Sequence, residues 1–291
     1  MAIYFICFLL FFMFPDICKD GMTGGIRLLA FQVIPSLYPF MLIASLIRTA
    51  PIPARLSRIY PIVCGFISGY PMGAKAVVDM KSGGHIGKEQ AEALLILCNN
   101  PGPAFIVSYA AMGMLGDITH GPLIWAAALS GSFLACLCMC FIRRKNEAAV
   151  PSVSMTSVPV PPSGNFFDTL EQAAADTLNT LFTISGNVLI FSVLSEFIQQ
   201  AAFIPDKLCI LASGILEMTC GIRLAAASDM TLAWKVGSIT VFSVFGGLSI
   251  ISQTAGIIRK EKLSIKKYIT GKALAACFAF PVIHLLLCIF H

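Results

Sequence analysis

C-G-F-I-S-G-Y-P-M-G-A-K, residues 64–75, is the stretch that decides how the rest of the chain is read. It sets Gly65, Gly69, Pro71 and Gly73 around Ser68 and Tyr70 and closes on Lys75, inside an otherwise apolar sequence. Such a run makes a poor helix, because each glycine costs about 1 kcal/mol and an interior proline about 3 kcal/mol relative to alanine. Inside a bilayer, broken backbone is tolerated only where protein buries it or a watery cavity meets it. The stretch is therefore both an interruption and a candidate site.

The surroundings supply the bilayer. Of 291 residues, 57% are hydrophobic and 12% charged, against about 25% charged in a soluble domain, and the mean hydropathy is +0.84. Too few charged side chains remain to coat a water-soluble body, so the chain reads as an all-α polytopic membrane protein. The net charge of +5 is small and gathered in particular loops, which marks topology and argues against a nucleic-acid partner. Eleven cysteines, an odd number with no C-x-x-C pair, form no disulfide framework or zinc site. The run Cys136, Cys138, Cys140 lies within a continuous apolar span, where cysteine acts as a small hydrophobe. No metal and no cofactor is expected.

Upstream of the organising stretch, residues 1–14 are apolar but shorter than the roughly 20 residues a crossing helix needs. With no A-x-A-like site after them they read as a short membrane segment, joined by a loop over 15–24. Residues 25–47 form the first full span, bent by Pro35 and Pro39 and followed by Arg48, Arg55 and Arg58. Residues 59–84 are too short and too punctuated for two crossings and read as a re-entrant hairpin. Residues 88–114 start as a helix with Glu89, Gln90 and Glu92 in the first turn, then break at Asn99-Asn100-Pro101-Gly102-Pro103, the pattern of a discontinuous helix. A plain span over 122–142, with Trp125 at its start, ends at Arg143, Arg144 and Lys145. Residues 146–165 have the Pro/Ser/Val-rich composition of a flexible cytoplasmic linker.

The second half repeats this order. An amphipathic approach helix over 166–177 leads into a span over 178–199. A short segment over 206–228 contains G-I-L-E-M-T-C-G-I-R, with Glu217 and Arg223, and stands where the first hairpin stood. Residues 232–258 break at Gly246-Gly247, with Ser249, Ser252 and Gln253 beyond the break, and 268–290 make a last plain span. The expected domains are 1–24, a first repeat over 25–145, the linker and a second repeat over 166–291. Three crossings per repeat is an odd number, so the second repeat is inverted. Placing Arg48 to Arg58 inside also puts Arg143 to Lys145, and the group Arg259, Lys260, Lys262, Lys266 and Lys267, inside, in accord with the positive-inside rule. The N-terminus is then inside and the C-terminus outside.

Inverted repeats with paired hairpins and broken helices are a transporter pattern, with substrate near the midplane. Freed N–H groups and positive half-helix ends suit an anion, and Lys75 and Arg223 add one cation per hairpin, the pair a dicarboxylate asks for. The expectation is that the two converge on one midplane cavity.

Four runs, G-F-I-S-G-Y-P-M-G-A-K, L-C-N-N-P-G-P-A-F-I, G-I-L-E-M-T-C-G and F-G-G-L-S-I-I-S-Q, resemble the sporulation integral membrane proteins of the YlbJ type. That family carries a nucleoside-recognition or Gate domain and is similar to concentrative nucleoside transporters. The resemblance runs from about Gly24 onward and implies transport of dipicolinate, pyridine-2,6-dicarboxylate, across the outer forespore membrane of an endospore former. It leaves two other expectations standing, a membrane assembly or signalling protein with a Gate fold and a nucleoside-type transporter. Association into homo-oligomers is a further implication.

Each candidate residue has two readings. Ser68 and Tyr70 bind a carboxylate, or they satisfy the hairpin's own freed backbone. Gly65, Gly69 and Gly73 serve close packing in the first instance. Asn99 and Asn100, costly at mid-span unless bonded, bind substrate or staple the broken helix to the facing hairpin. Lys75 and Arg223 meet the anion or snorkel to the interface. Glu217 carries a coupling proton or balances Arg223, and sodium coupling is open although no sodium cage is visible. Ser249 and Gln253 are the second-half counterparts of the asparagines. No H-E-x-x-H, G-x-S-x-G or P-loop run is present, and the expectation is that the chain is not an enzyme.

Overall fold

The computed structural model describes residues 2–49, 60–144 and 165–290, every regular element of which is helical. Arg55, Arg58, Lys145 and the linker residues 146–164 lie outside the described residues. The helices are α1 (Ala2–Met13), α2 (Pro15–Leu28), α3 (Ile34–Thr49), α4 (Tyr60–Ser68), α5 (Met72–Ser82), α6 (Lys88–Cys98), α7 (His120–Arg144), α8 (Phe166–Gln199), α9 (Asp206–Leu216), α10 (Met218–Ala227), α11 (Leu232–Phe245), α12 (Gly247–Ile258) and α13 (Ile265–Phe290). π-helical turns occupy Leu29–Val33 and Phe105–Leu115.

Two expectations are corrected. Residues 15–24 are helix, not loop, and α2 runs through the wide turn at Leu29–Val33 into α3, so that one apolar helical run spans Pro15–Ile47. Glycines of this segment bring α2 against α8. A Cβ on Gly21 would stand 2.7 Å from the Val193 Cα, and one on Gly25 would stand 3.1 Å from Leu189, the close approach that small residues permit in membranes. The wide turn lies just ahead of Pro35, where a missing N–H and a bulky ring disturb the ladder. Likewise the approach helix and the span after it are one helix. The 34 residues of α8 make a rod of about 51 Å. Its polar residues bond back along it, Thr177 Oγ1 to Ala173 O at 2.7 Å and Thr180 Oγ1 to Asp176 O at 2.8 Å.

Three interruptions fall at the anticipated residues: Gly69 to Pro71 between α4 and α5, Asn99 to Pro101 after α6, and Gly246 between α11 and α12; a fourth, at Glu217 between α9 and α10, lies inside the short segment expected over 206–228. Among the described residues, five helical runs are long and apolar enough to cross a membrane: Pro15–Ile47, His120–Phe141, Phe166–Gln199, Leu232–Glu261 and Ile265–Phe290. Phe12, Phe31, Phe133, Phe182 and Leu285 point outward from the bundle, mostly bare, as suits lipid-facing surface. Fold and surface together make this a multi-pass membrane protein.

Inside, α7 and α13 lie along each other through small residues. Ala127, Ala128, Ala135, Ala275 and Ala279 are fully buried, and a Cβ on Gly131 would meet the Ala275 carbonyl at 2.5 Å. The central core joins Tyr70, Phe105 and Tyr109 from the first half to Met218, Ile222, Phe242 and Ile250 from the second. Both sets of interruptions thus meet in one place.

Candidate functional site

At the first break, backbone lies on backbone. A Cβ on either Gly65 or Gly73 would stand 2.0 Å from the Cys98 carbonyl oxygen, so α4 and α5 clasp the end of α6. Gly69, at φ +69°, lies where a Cβ would meet the Gly102 nitrogen at 2.2 Å, a left-handed conformation natural to glycine. The close-packing role of these three glycines is what the geometry displays.

Asn99 and Asn100 are buried, and each side-chain amide is engaged at both ends. Asn99 Oδ1 accepts from the Ala74 N–H at 3.3 Å, and its Nδ2 donates to Thr254 Oγ1 at 3.0 Å and the Tyr268 hydroxyl at 2.7 Å. Asn100 Nδ2 donates to the Leu97 carbonyl at 2.7 Å. Its Oδ1 accepts from Ser132 Oγ at 2.7 Å and from Lys272 Nζ at 2.8 Å. Lys272, fully buried on α13, also donates to the Asn99 carbonyl at 3.0 Å and sits 5.1 Å from the centre of the Tyr70 ring. The pair therefore staples α6 to α5, α7, α12 and α13.

The second half is held differently. A Cβ on Gly214 would meet the Phe242 ring at 2.4 Å and one on Gly221 would meet Gly214 Cα at 2.3 Å, so α9 and α10 fold flat on each other under that ring. Glu217, 1% exposed, caps α10: its Oε2 accepts from the N–H groups of Thr219 at 2.7 Å and Cys220 at 2.9 Å, and from the Thr219 hydroxyl. A carboxylate there complements the positive end of the helix. Gly246 and Gly247, at φ 82° and 72°, turn the chain from α11 into α12. Gln253 Nε2 reaches Ser249 Oγ at 3.4 Å, while Gln253 Oε1, Ser68 Oγ and Ser213 Oγ are buried with no hydrogen-bond partner.

Two tyrosines cross between the halves. The Tyr70 hydroxyl donates to the Val244 carbonyl at 2.9 Å, at the end of α11, and the Tyr109 hydroxyl donates to the Thr219 carbonyl at 2.8 Å, in α10. Both hydroxyls belong to the first half and both carbonyls to interrupted elements of the second.

Three spaces follow one face of α8. A cavity of about 230 Å³ is lined by Lys75, Asp176, Asn179, Thr180, Thr183 and Gln253. A narrow pocket of about 30 Å³ follows, among Tyr70, Phe105, Ile184, Val188, Glu217, Thr219 and Gln253. A cavity of about 370 Å³ lies beyond it, lined by Arg27, Gln32, Tyr109, Ser192, Glu196, Gln199 and Arg223. Ile184 and Gln253 are shared by the first two spaces and Thr219 by the last two. The α8 residues 176, 180, 184, 188, 192, 196 and 199 recur every three or four positions, one helical stripe.

Lys75 and Arg223 accordingly do not meet in one cavity, contrary to expectation. Lys75 donates to Thr180 Oγ1 at 2.8 Å in the first cavity, and Arg223 Nη2 reaches Gln199 Oε1 at 3.3 Å in the last. The long rod of α8 stands beside both and keeps them apart. Tyr70, Glu217 and Gln253 are brought together at the narrow pocket; Ser68, Asn99, Asn100 and Ser249 line none of the three spaces. Sequence reasoning missed Tyr109, Asp176 and Lys272 as members of this region. A lone lysine followed by apolar residues, K-A-L-A-A-C-F-A-F, was the available signal for Lys272.

No family model matches the chain, and no solved structure matches it. The fold and its cavities define the class, a polytopic helical membrane protein with paired interrupted elements. The chain is similar to the sporulation integral membrane protein YlbJ of Bacillus subtilis (strain 168), with 25% identity over 318 aligned residues that cover 94% of this chain and 78% of that protein. That similarity bears out the YlbJ-type resemblance.

Proposed function

We propose that the protein is a membrane transporter of a small anionic metabolite, dipicolinate first among them, working across the outer forespore membrane during sporulation. The observation that carries the reading is the alignment of two polar cavities, one on each side of a constriction built from both interrupted halves, along a single face of α8. Cavities of a few hundred Å³ suit a small molecule, and each holds a fixed cation, Lys75 in one and Arg223 with Arg27 in the other. On the positive-inside orientation the Lys75 cavity opens to the mother-cell cytoplasm and the Arg223 cavity to the opposite side. The two halves, from Pro15 to Arg144 and from Phe166 onward, act as inverted repeats whose α4–α5 and α9–α10 hairpins are re-entrant. The similarity to a B. subtilis protein named as a sporulation integral membrane protein supports the cellular setting.

The test is uptake of labelled dipicolinate into vesicles holding the purified protein, with Lys75→Ala and Arg223→Ala variants alongside. The expected result is saturable uptake that each variant reduces at least about tenfold, the scale of one lost ion contact. Absence of uptake under every ion gradient would return the chain to an assembly or signalling role. Inhibition by nucleosides but not by dicarboxylates would make it a nucleoside-type carrier.

A further inference from the structure

Lys272 is the buried group that the proposed path does not use, and its surroundings are specific. Where α6 ends, the last carbonyls have no intrahelical donor and carry the negative end of the helix dipole. Unwound carbonyls and half-helix C-terminal ends of this kind are what transporters offer to a sodium ion. Here the Asn99 carbonyl and Asn100 Oδ1 converge on one point, and the Lys272 ammonium stands there, 3.0 and 2.8 Å away, with the Tyr70 ring face beyond it. All three partners are electron-rich. The Ser132 hydroxyl, the nearest other polar group on Asn100, already spends its proton on the same Oδ1. Both hydrogen bonds of Lys272 Nζ go to oxygens, and among the described residues no carboxylate pairs with it. A buried cation facing dipoles alone fits an inorganic ion site better than it fits a salt bridge.

We infer that Lys272 is a tethered cation standing in a monovalent-ion site at the first break, so that this site needs no sodium and substrate movement is not coupled to sodium there. The inference deepens the transport reading and rests on it only for its last clause. The stem from α13 delivers the charge without an entry path, and the ion cannot dissociate. The break of α6 is then locked in every stage of the cycle, which an exchangeable ion would not ensure.

Thermal unfolding of the purified protein tests this without any transport measurement. Wild type is expected to melt at the same temperature in sodium chloride, potassium chloride and choline chloride at equal ionic strength. In choline, Lys272→Ala is expected to melt lower by about 5 °C or more. Sodium or methylammonium, small enough to fill the vacated place, is expected to recover at least half of that loss. Lys272→Met, which fills the space with an apolar chain, is expected to be destabilised and to gain nothing from either cation. Three outcomes would overturn the inference: stabilisation of wild type by sodium, an alanine variant that neither cation rescues, or a methionine variant as stable as wild type. If Lys272→Ala does not fold, the wild-type and methionine measurements decide between the same alternatives. Uptake in sodium and in choline is expected to be equal; a vesicle showing no uptake at all removes the transport reading and leaves the melting result standing.

Discussion

The two interrupted halves follow the same order of elements and are held by different sets of contacts. In the first, backbone clasps backbone at Gly65, Gly69 and Gly73, and side-chain amides with a buried lysine bind the break to four other helices. In the second, glycine turns the chain at Gly246 and Gly247, Gly221 lies on Gly214 under an aromatic ring, and the polar contacts at the breaks are the Glu217 cap and the Tyr70 and Tyr109 hydroxyls received from the first half. A lock of directed hydrogen bonds holds one geometry, because each bond fails when an atom moves by an ångström. Apolar contact on a ring tolerates sliding. The difference is one of bonding: side-chain hydrogen bonds tie the first break to four other helices, whereas Glu217 at the second bonds only within α10 and its cap.

The sharpest way to break this contrast is to add one methyl group to each half. Gly65→Ala drives a Cβ into the Cys98 carbonyl, which is backbone in a clasped helix end, and is expected to cost more than about 4 kcal/mol or to abolish folding. Gly214→Ala meets only the Phe242 ring, which can turn aside, at about 1–3 kcal/mol. Thermal unfolding in detergent separates them, and equal losses would erase the distinction. Next in size is Asn100→Leu, which leaves Lys272 and Ser132 short of an acceptor in a buried place. The expected loss is about 3 kcal/mol by the same measurement.

The cross-ties are predicted to be smaller and alike. Tyr70→Phe and Tyr109→Phe each remove one hydroxyl from a carbonyl of the opposite half, and each is expected to lower stability by about 1 kcal/mol. A loss confined to Tyr70→Phe would mean that the first half braces the second at the end of α11 and not at α10. The smallest effect lies away from both locks. A Cβ on Gly186 in α8 has nothing within 4 Å, so Gly186→Ala is expected to stabilise the protein by about 0.5 kcal/mol, read as a small rise in melting temperature.

Much of the skeleton was legible because punctuation is local. Gly69 with Pro71, Asn99 to Pro103 and Gly246 with Gly247 interrupt helices through their own backbones, and each break stands where its residues are. The helical state of residues 15–24 was not legible in the same way, since a glycine that makes a turn and a glycine that admits a neighbouring helix look alike in sequence. Only the presence of α8 at 2.7 Å from the Cβ position of Gly21 tells them apart. Of the candidate site, Tyr70, Glu217 and Gln253 could be chosen as polar groups near breaks. Lys272 was harder to choose: apolar residues follow it, but it also follows Lys266 and Lys267 and reads as the tail of a basic loop until the register of α13 turns it inward.

By itself, then, the sequence determined the solvent, the helical class and the positions of the interruptions, since hydropathy and the conformational limits of glycine and proline act over a few residues. Tertiary structure alone decided which polar groups are spent and which remain open. Asn99 and Asn100 are consumed as staples, Lys75 and Arg223 are held in different cavities, and Lys272 is placed against a helix end. A hydrogen bond between α6 and α13 joins residues more than 170 positions apart, and no local rule reaches across that distance.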